Sequence, residues 1–432
     1  MKIHFIGIGG IGVSALAQYY LTQGHEVTGT DLSEGAMISR LKEKGAKIVI
    51  GEHRAENLAA DADLLVYTNA TARDNPEFLA AQKKELKILS YPQALGQLTE
   101  KMYTIAVSGM HGKSTTTAML AIAAIEAGLD PTVIVGTKLA EFDDSNFRAG
   151  KSQYLILEAD EYKAALLNYR PDIAIILNLE EEHLDFYRNL NHSMETFKQY
   201  LVQIKSGGTI ILNRDDKNAI SLDGKDQAFI TYGLDDVEAK EIKNVLRVPG
   251  EHNVSNALAV FKTLKLLGVE EKTILAGLAK FKGTWRRMEL KGKIKGALIY
   301  NDYGHHPTEI KATLKAAREL PRSELARLWC VFQPHQHDRT WKLFEKFKVA
   351  FDEADEVLLL DIYSVPGRET EEVKQKVSSQ KLVRAINKKN VRYAASFKEA
   401  EEILRQELKS GDICLIMGAG DIVNLSQKLL TG

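Results

Sequence analysis

The chain has 432 residues, of which 27% are charged and 44% hydrophobic, and its formal net charge is −1. This length exceeds one ordinary hydrophobic core and predicts two or three domains. The balanced charge supplies no basic field, so nucleic acid is not expected as a partner. No apolar run approaches the roughly 20 residues needed to cross a bilayer, so we expect no membrane association and a cytoplasmic location.

The first block of the chain begins with a strand at residues 3–6 that runs into the turn Gly-Ile-Gly-Gly-Ile-Gly, followed by a helix near 13–23. A second strand, 26–30, ends at an aspartate, and a third lies at 63–67. Such glycines permit a tight turn and bring a diphosphate close to a helix N-terminus. The pattern predicts a diphosphate site but does not separate a nicotinamide dinucleotide from a UDP-sugar. The candidate residues are Gly7, Gly9, Gly10, Ile11, Gly12, Asp31 and Asn69.

A second glycine loop follows an apolar run at 103–107 and opens an apolar-periodic stretch. It consists of Gly109, Met110, His111, Gly112, Lys113, Ser114 and Thr115. Val107 stands where the usual phosphate-binding loop has its first glycine, so this is a shortened variant, Gly-x-x-Gly-Lys-Ser. Backbone N–H groups cradle phosphates, Lys113 adds a positive charge, and the Ser114 hydroxyl is a Mg²⁺ ligand. The loop predicts ATP binding.

Two later strands, 154–157 and 173–177, each run into polar residues. The carboxyl ends of parallel strands face the nucleotide in such sheets. Glu158, the first acid after its strand, is the predicted Mg²⁺ ligand and is preferred over the acids that follow it. His183, after the other strand, is the predicted ligand of a second Mg²⁺.

Further polar clusters lie in the second half of the chain. Residues 249–256 place amides and a histidine at the start of a helix, and 283–288 hold adjacent arginines. Residues 301–308 and 332–340 follow predicted strands, which indicates a site at the carboxyl edge of a third sheet. Cys330 and Cys414 lie in apolar runs and are predicted to be buried free thiols.

In order along the chain, these motifs resemble the Mur ligase family of ATP-dependent, amide-forming enzymes of peptidoglycan precursor synthesis. The resemblance rests on both glycine loops, on 158–162, 178–185 and His252-Asn253, and on 302–309 and 332–335. It implies an α/β fold of three domains. The implied domains are a Rossmann-like N-terminal domain that binds a UDP-sugar (1–100), a central P-loop ATPase domain with a mainly parallel sheet (101–290), and a Rossmann-like C-terminal domain that binds the amino acid (291–432).

The resemblance also implies roles and substrates. The ATP would contact Gly109 to Thr115, with Asn178, His252 and Asn253 near the adenine and Asp302 near the ribose. Ser114 and Glu158 would hold one Mg²⁺ and His183 a second. The implied catalytic set is Lys113, Glu158, His183, Arg286, His305 and Arg339, with His335 beside them in the substrate-facing site. The implied substrates are UDP-N-acetylmuramate and L-alanine, joined through an acyl phosphate.

The chain also departs from the family pattern. Met110 and Ser114 replace threonines, and serine keeps the metal-binding hydroxyl. Gln336 stands where relatives often carry arginine, so Arg339 would have to bind the substrate carboxylate, and the amino acid is less firmly defined. No lysine is assigned as a carbamylated residue, although Lys198 is nearby. Three alternatives stay open: a ligase that attaches a recycled tripeptide to the same sugar nucleotide, a nicotinamide-dependent oxidoreductase, and a catalytically silent nucleotide-binding protein.

Overall fold

The computed structural model describes residues 1–222, 227–365 and 369–431. It confirms the predicted α/β class, with three separate sheets in which most neighbouring strands are parallel. The described residues form two compact units. The first contains Met1–Glu180, Leu190–Val245 and Ser255–Phe281, and the second contains Glu181–Asn189, Leu246–Val254 and the chain from Lys282 onwards. Within the described ranges, no helix combines the length and the apolar character needed to span a membrane.

The first sheet has the strand order β3-β2-β1-β4-β5, and all its strands are parallel. Its elements are β1 (Lys2–Ile6), α1 (Ile11–Thr22), β2 (Glu26–Asp31), α2 (Ala36–Glu43), β3 (Lys47–Ile50), β4 (Leu64–Tyr67), α3 (Pro76–Lys83), β5 (Lys87–Ser90) and α4 (Tyr91–Lys101). From β1 the chain continues to β2 and β3 on one side of that strand, and it later returns to β4 and β5 on the other side of β1. The loops after these two strands therefore diverge, which opens a crevice at the carboxyl edge of the sheet.

The second sheet has the order β12-β11-β10-β6-β9-β7-β8 and is parallel except for β8, which runs antiparallel to β7. Its elements are β6 (Tyr103–Ser108), α5 (Lys113–Glu126), β7 (Thr132–Leu139), β8 (Ser145–Arg148), β9 (Tyr154–Glu158), β10 (Ile173–Ile176), α6 (Leu190–Val202), β11 (Thr209–Asn213), β12 (Ala228–Tyr232), α7 (Glu238–Val245), α8 (Glu251–Leu266) and α9 (Glu271–Leu278). Because β6 lies between β9 and β10, the ends of all three strands meet at one edge, as the sequence predicts.

The third sheet has the order β13-β14-β18-β15-β16-β17, with only β13 antiparallel to its neighbour among the described strands. Its elements are β13 (Glu289–Ile294), β14 (Ala297–Asp302), α10 (Pro307–Arg318), β15 (Leu328–Phe332), α11 (His337–Lys342), α12 (Phe344–Phe347), β16 (Glu356–Leu359), α13 (Glu371–Lys376), α14 (Ser379–Ile386), β17 (Val391–Tyr393), α15 (Phe397–Glu407), β18 (Ile413–Met417) and α16 (Val423–Thr431). Short 3₁₀ helices elsewhere in the chain span Ala55–Asn57, Ala140–Phe142 and Tyr162–Asn168.

Helices pack on each sheet and bury the apolar side chains of its strands. Three adjacent inner strands of the third sheet, β14, β18 and β15, contain mostly buried residues. Cys330 and Cys414 lie on two of these strands and are free and buried, as predicted. Burial raises the pKa of both thiols well above the usual range, so both stay protonated and unreactive at neutral pH.

A buried polar contact joins the first and second sheets within the first unit. Asn146, on β8, is fully buried, and its amide nitrogen donates to Ser14 Oγ at 3.2 Å and to the carbonyl of Ile11. Its amide oxygen accepts from Gln18 Nε2 at 3.1 Å. All three partners lie on α1, the helix that follows the first glycine turn. A buried amide whose hydrogen bonds are satisfied fixes the helix in one orientation on the second sheet.

Candidate active site

The glycine turn after β1 is fastened to the end of β2. The backbone N–H groups of Gly7 and Ile8 donate to the carbonyl of Thr30 at 2.9 and 3.1 Å, and Gly9 N donates to Asp31 Oδ2 at 2.8 Å. Gly7 has a φ of +72°, which glycine adopts without steric cost. The structure therefore brings Asp31 against the predicted diphosphate turn. Asn69 lies after β4 across the crevice, and its carbonyl accepts from Lys163 Nζ at 3.4 Å.

The second glycine loop leads directly into α5, which begins at Lys113. Gly112 has a φ of +83°, and a β-carbon there would lie 2.7 Å from Asn256 Oδ1, so this position requires glycine. Lys113 Nζ donates to the carbonyls of Gly109 and Met110 at 2.9 and 3.2 Å and lies 2.7 Å from Glu161 Oε2. Burial alone would lower the pKa of Lys113, but the nearby carboxylates, that of Glu161 first, raise it well above its usual value. The lysine is therefore a permanent cation at the loop.

Asn178, predicted to lie near adenine, holds the loop backbone. Its Oδ1 accepts from His111 N at 2.8 Å, and its Nδ2 donates to the His111 carbonyl at 3.0 Å. The His111 ring in turn lies 2.5 Å from Glu180 Oε1. These bonds use both ends of the Asn178 amide, so it shapes the loop from the neighbouring strand. Its contact with adenine stays a prediction.

Ser114 and Glu158, the predicted Mg²⁺ ligands, are brought together. Ser114 Oγ donates to Glu158 Oε1 at 3.0 Å, and Gly136 N donates to Glu158 Oε2 at 2.8 Å. A hydroxyl and a carboxylate oxygen are the ligand types that Mg²⁺ prefers, so this pair fits the ion. His183 belongs to the second compact unit and has a φ of +50°. Its role as a ligand of a second ion stays a prediction.

One predicted substrate-facing residue of the third domain, Arg339, binds a buried carboxylate. Arg339 Nη2 and Nε donate to Glu182 Oε1 at 2.6 and 3.1 Å. Arg339 also contacts His335, whose ring lies 6.2 Å from that of His305. Burial lowers the pKa of His305 to about 3, and the charges of Arg339 and His335 act in the same direction. Although burial alone would raise it, the pKa of Glu182 is held well below its usual range, chiefly by Arg339.

The two adjacent arginines at the start of the third domain have different partners. Arg286 is 6% exposed, donates to the carbonyls of Gly418 and Gly420, and stacks 5.0 Å from the Tyr303 ring. Arg287 Nη1 instead lies 3.1 Å from Glu309 Oε1. Arg286 therefore holds the turn after β18 in place. Its catalytic role stays a prediction.

Asp302, His252 and Asn253 all belong to the second unit. The Asp302 carboxylate accepts from Met288 N at 2.9 Å and Gly304 N at 2.7 Å, and burial raises its pKa. Asn253 Nδ2 donates to the carbonyl of Pro249 at 2.6 Å. Burial and the charge of Arg287 lower the pKa of His252 to about 4. The predicted adenine and ribose contacts of these three residues stay predictions.

Three residues with well-defined contacts at these sites were not selected from the sequence. They are Glu161, which pairs with the loop lysine, Asn256, which packs on Gly112, and Glu182, which binds Arg339. All three lie inside motifs that the sequence singles out. Their side chains are buried, at 0%, 7% and 3% exposure, and burial of polar groups was the missing signal.

Three family models match successive parts of the chain. The model of the Mur ligase family, catalytic domain, matches residues 2–103, that of the Mur ligase middle domain 107–245, and that of the Mur ligase, glutamate ligase domain, 286–420. The chain therefore belongs to the Mur ligase family.

Particular relatives are similar along their whole length. A UDP-N-acetylmuramate–L-alanine ligase from Clostridium tetani is 42% identical over 98% of this chain and 96% of the relative, and one from Clostridium acetobutylicum is 40% identical over 100% and 97%. Among solved structures, UDP-N-acetylmuramate–alanine ligase from Thermotoga maritima has a TM-score of 0.79 and 26% identity, covering 100% of this chain and 98% of that one. The murein peptide ligase from Psychrobacter arcticus has a TM-score of 0.72 and 26% identity, covering 100% and 98%.

Proposed function

We propose that this chain is an ATP-dependent ligase that joins L-alanine to the lactyl carboxylate of UDP-N-acetylmuramate, for peptidoglycan precursor synthesis. The observation that carries the proposal is the pairing of Ser114 with Glu158 at 3.0 Å beside the Lys113 loop. This arrangement suits a triphosphate with its metal ion, and a nicotinamide-dependent oxidoreductase has no use for it. Full-length similarity to relatives named for this reaction supports the same substrates.

The carboxylate is activated before the amine arrives. A carboxylate is a poor electrophile, so it first attacks the γ-phosphate of ATP to give an acyl phosphate and ADP. The amine of L-alanine then attacks the activated carbonyl, and phosphate leaves after a tetrahedral intermediate. The chain contributes orientation and charge neutralisation, with Lys113 on the β- and γ-phosphates. No side chain needs to act as a nucleophile.

We infer the roles of the three domains from the candidate sites that they carry. We assign residues 1–100 to the UDP-sugar, 101–290 to ATP and 291–432 to the amino acid. Ser114 and Glu158 would hold one Mg²⁺ and His183 a second. When bound, such ions neutralise phosphate charge and help to align the reacting oxygens. In the third domain, we assign Arg286 to the phosphoryl group, and His305 and Arg339 to the substrates.

The proposal is tested by phosphate release from ATP with Mg²⁺, UDP-N-acetylmuramate and one amine at a time: L-alanine, glycine, L-serine or the recycled tripeptide. Release that requires both the sugar nucleotide and L-alanine is the expected result. Release only with the tripeptide would assign the chain to the recycling reaction, for which the similarity to murein peptide ligase is the supporting observation. No release with any amine would contradict the proposed function, and Gln336 would be the first residue to examine.

A further inference from the structure

Tyr91 occupies the junction between the first and second sheets. It is the first residue of α4, directly after β5, and this helix leads into β6. Ser90 caps the helix: its N–H donates to Gln93 Oε1 at 2.9 Å, and its hydroxyl accepts from Gln93 N at 3.4 Å. A capping box of this kind fixes the first turn. The Tyr91 side chain is therefore presented from a rigid point at the carboxyl edge of the first sheet.

On one side, the Tyr91 hydroxyl lies against the predicted diphosphate turn. A β-carbon added to Gly12 would lie 2.8 Å from both the hydroxyl oxygen and Cζ of Tyr91. Gly12 belongs to the first turn of α1, where backbone N–H groups and the helix dipole favour an anion. The phenol is thus adjacent to the place where the diphosphate of a sugar nucleotide would bind.

Tyr91 is also within electrostatic range of acidic residues at the carboxyl end of β9. Burial raises the pKa of Tyr91 well above its usual value, and the negative charges of Asp160 and Glu158 raise it further. Glu158 is the carboxylate paired with Ser114 in the second sheet. The hydroxyl thus lies against the diphosphate turn, feels the charge of the candidate metal-site carboxylate, and stays protonated.

Within the part of the chain that the structure describes, no side chain or backbone group forms a hydrogen bond with the Tyr91 hydroxyl. A partly buried tyrosine usually finds such a partner.

We propose that the Tyr91 hydroxyl donates a hydrogen bond to the sugar nucleotide, to an oxygen of the muramyl portion beyond the diphosphate. This inference rests on the proposed function, because it takes that substrate as the ligand of the first domain. Tyr91 would hold the sugar at a fixed distance from the turn at Gly12, so that the reacting carboxylate reaches the γ-phosphate. It is a positioning residue for the first chemical step.

The test is Tyr91→Phe, which removes only the hydroxyl. Loss of one hydrogen bond to substrate predicts a rise in KM for UDP-N-acetylmuramate of about 5- to 30-fold, with KM for ATP and L-alanine unchanged. Tyr103→Phe, at the amino end of β6, is the matched control and is expected to leave all three constants unchanged. If Tyr91 were merely structural, its loss would move all three constants together or lower the melting temperature.

Direct binding separates this inference from the proposed function. Calorimetry with UDP-N-acetylmuramate is expected to show the same 5- to 30-fold loss for Tyr91→Phe, about the worth of one hydrogen bond, whereas UDP alone binds both proteins equally. An equal loss for UDP would place the hydroxyl on the diphosphate and overturn the muramyl contact. Unchanged binding of both ligands would overturn any substrate role. If the wild-type protein binds neither ligand, the proposed function and this inference both fail. If it binds UDP-N-acetylmuramate without turnover, the proposed function fails, and the comparison of binding between wild type and Tyr91→Phe still tests this inference.

Discussion

Nζ of Lys113 lies 2.7 Å from Oε2 of Glu161, and the Glu161 side chain is fully buried. A bound phosphate must therefore compete with this carboxylate for the ammonium group. The pair gives the loop lysine a defined position before any phosphate contacts it. Because the carboxylate is buried, removing the lysine alone also leaves a negative charge inside the protein, and variants at this position must be designed with that in mind.

We expect Lys113→Met to lower kcat by about a hundredfold or more, because one preorganised cation on the transferring phosphoryl group is lost. The double variant Lys113→Met/Glu161→Gln removes both charges and should regain the stability that the single variant loses while staying inactive. Lys265→Ala breaks a surface pair of the same 2.7 Å length and is the control, expected to be fully active. Steady-state phosphate release measures all three, and near-normal activity of the double variant would refute the role of Lys113.

We expect the Ser114 hydroxyl to affect activity because it is a proposed Mg²⁺ ligand. Ser114→Ala should raise the Mg²⁺ concentration needed for half-maximal activity by about tenfold or more, since a ligand of the ion is lost beside Glu158. Ser114→Thr retains a hydroxyl and should stay close to wild type. Activity is titrated with Mg²⁺ at saturating ATP. Identical Mg²⁺ curves for the alanine and threonine variants would remove Ser114 from the metal site.

The Glu77 carboxylate is the centre of a buried network in the first domain. It lies 2.7 Å from His4 Nε2, 2.8 Å from His53 Nδ1 and 2.9 Å from the hydroxyl of Thr30. Burial alone would raise the pKa of Glu77, but its hydrogen bonds to the two histidines leave it lowered. The Thr30 carbonyl also accepts hydrogen bonds from the glycine turn after β1. The Glu77 network therefore stabilises the residue to which the predicted diphosphate turn is bonded.

Glu77→Ala should therefore lower the free energy of unfolding by about 3 kcal/mol, because the histidines and Thr30 lose a buried partner. It should also weaken binding of UDP-N-acetylmuramate, while ATP binding in the second sheet is retained. Glu56→Ala removes an exposed carboxylate nearby and is the control. Urea denaturation and calorimetry measure the two effects. A change in stability below about 0.5 kcal/mol, typical of surface positions, would show that the network is not stabilising.

Sequence reasoning found the elements whose pattern is local and missed the contacts that depend on distant residues. The strands at 103–107, 154–157 and 173–177 are apolar runs, and each was found within one residue of its observed bounds. The β8 strand is short and polar, and its Asn146 side chain contacts α1, far away in the sequence, which no local pattern indicates. The Lys113–Glu161 pair likewise joins distant parts of the chain, and Glu161 is followed by a turn in which Lys163 and Ala164 have positive φ angles, which neither residue type predicts.

A pH dependence of stability is expected from His252. Its pKa in the folded chain is about 4, below its usual value of 6.5, because of burial and Arg287. Between these values the unfolded chain binds more protons than the folded one, so stability falls as the pH falls from about 6.5 towards 4. The variant His252→Asn lacks this pH dependence of stability, because asparagine does not titrate. Between pH 7 and pH 5, wild type should lose up to about 2 kcal/mol relative to the variant, measured by urea denaturation at both pH values. His192→Asn, at an exposed position, is the control, and a constant difference between wild type and His252→Asn would refute the shift.

The pair formed by Arg339 and Glu182 gives the last prediction, because both side chains are largely buried, at 11% and 3% exposure. Arg339→Ala leaves the carboxylate of Glu182 without its cation, which should cost about 3–5 kcal/mol of stability. The same variant should raise KM for L-alanine, since Arg339 is the arginine assigned to the substrate carboxylate where Gln336 replaces the usual one.

The two effects of Arg339 are separable. In Arg339→Ala/Glu182→Ala both charges are gone, so most of the stability should return, as buried pairs are often replaced without loss. KM for L-alanine should stay raised, because the substrate carboxylate still lacks its guanidinium partner. If the double variant regains both stability and alanine affinity, Arg339 serves only to neutralise Glu182, and the amino-acid carboxylate must be bound by another cation of the third domain.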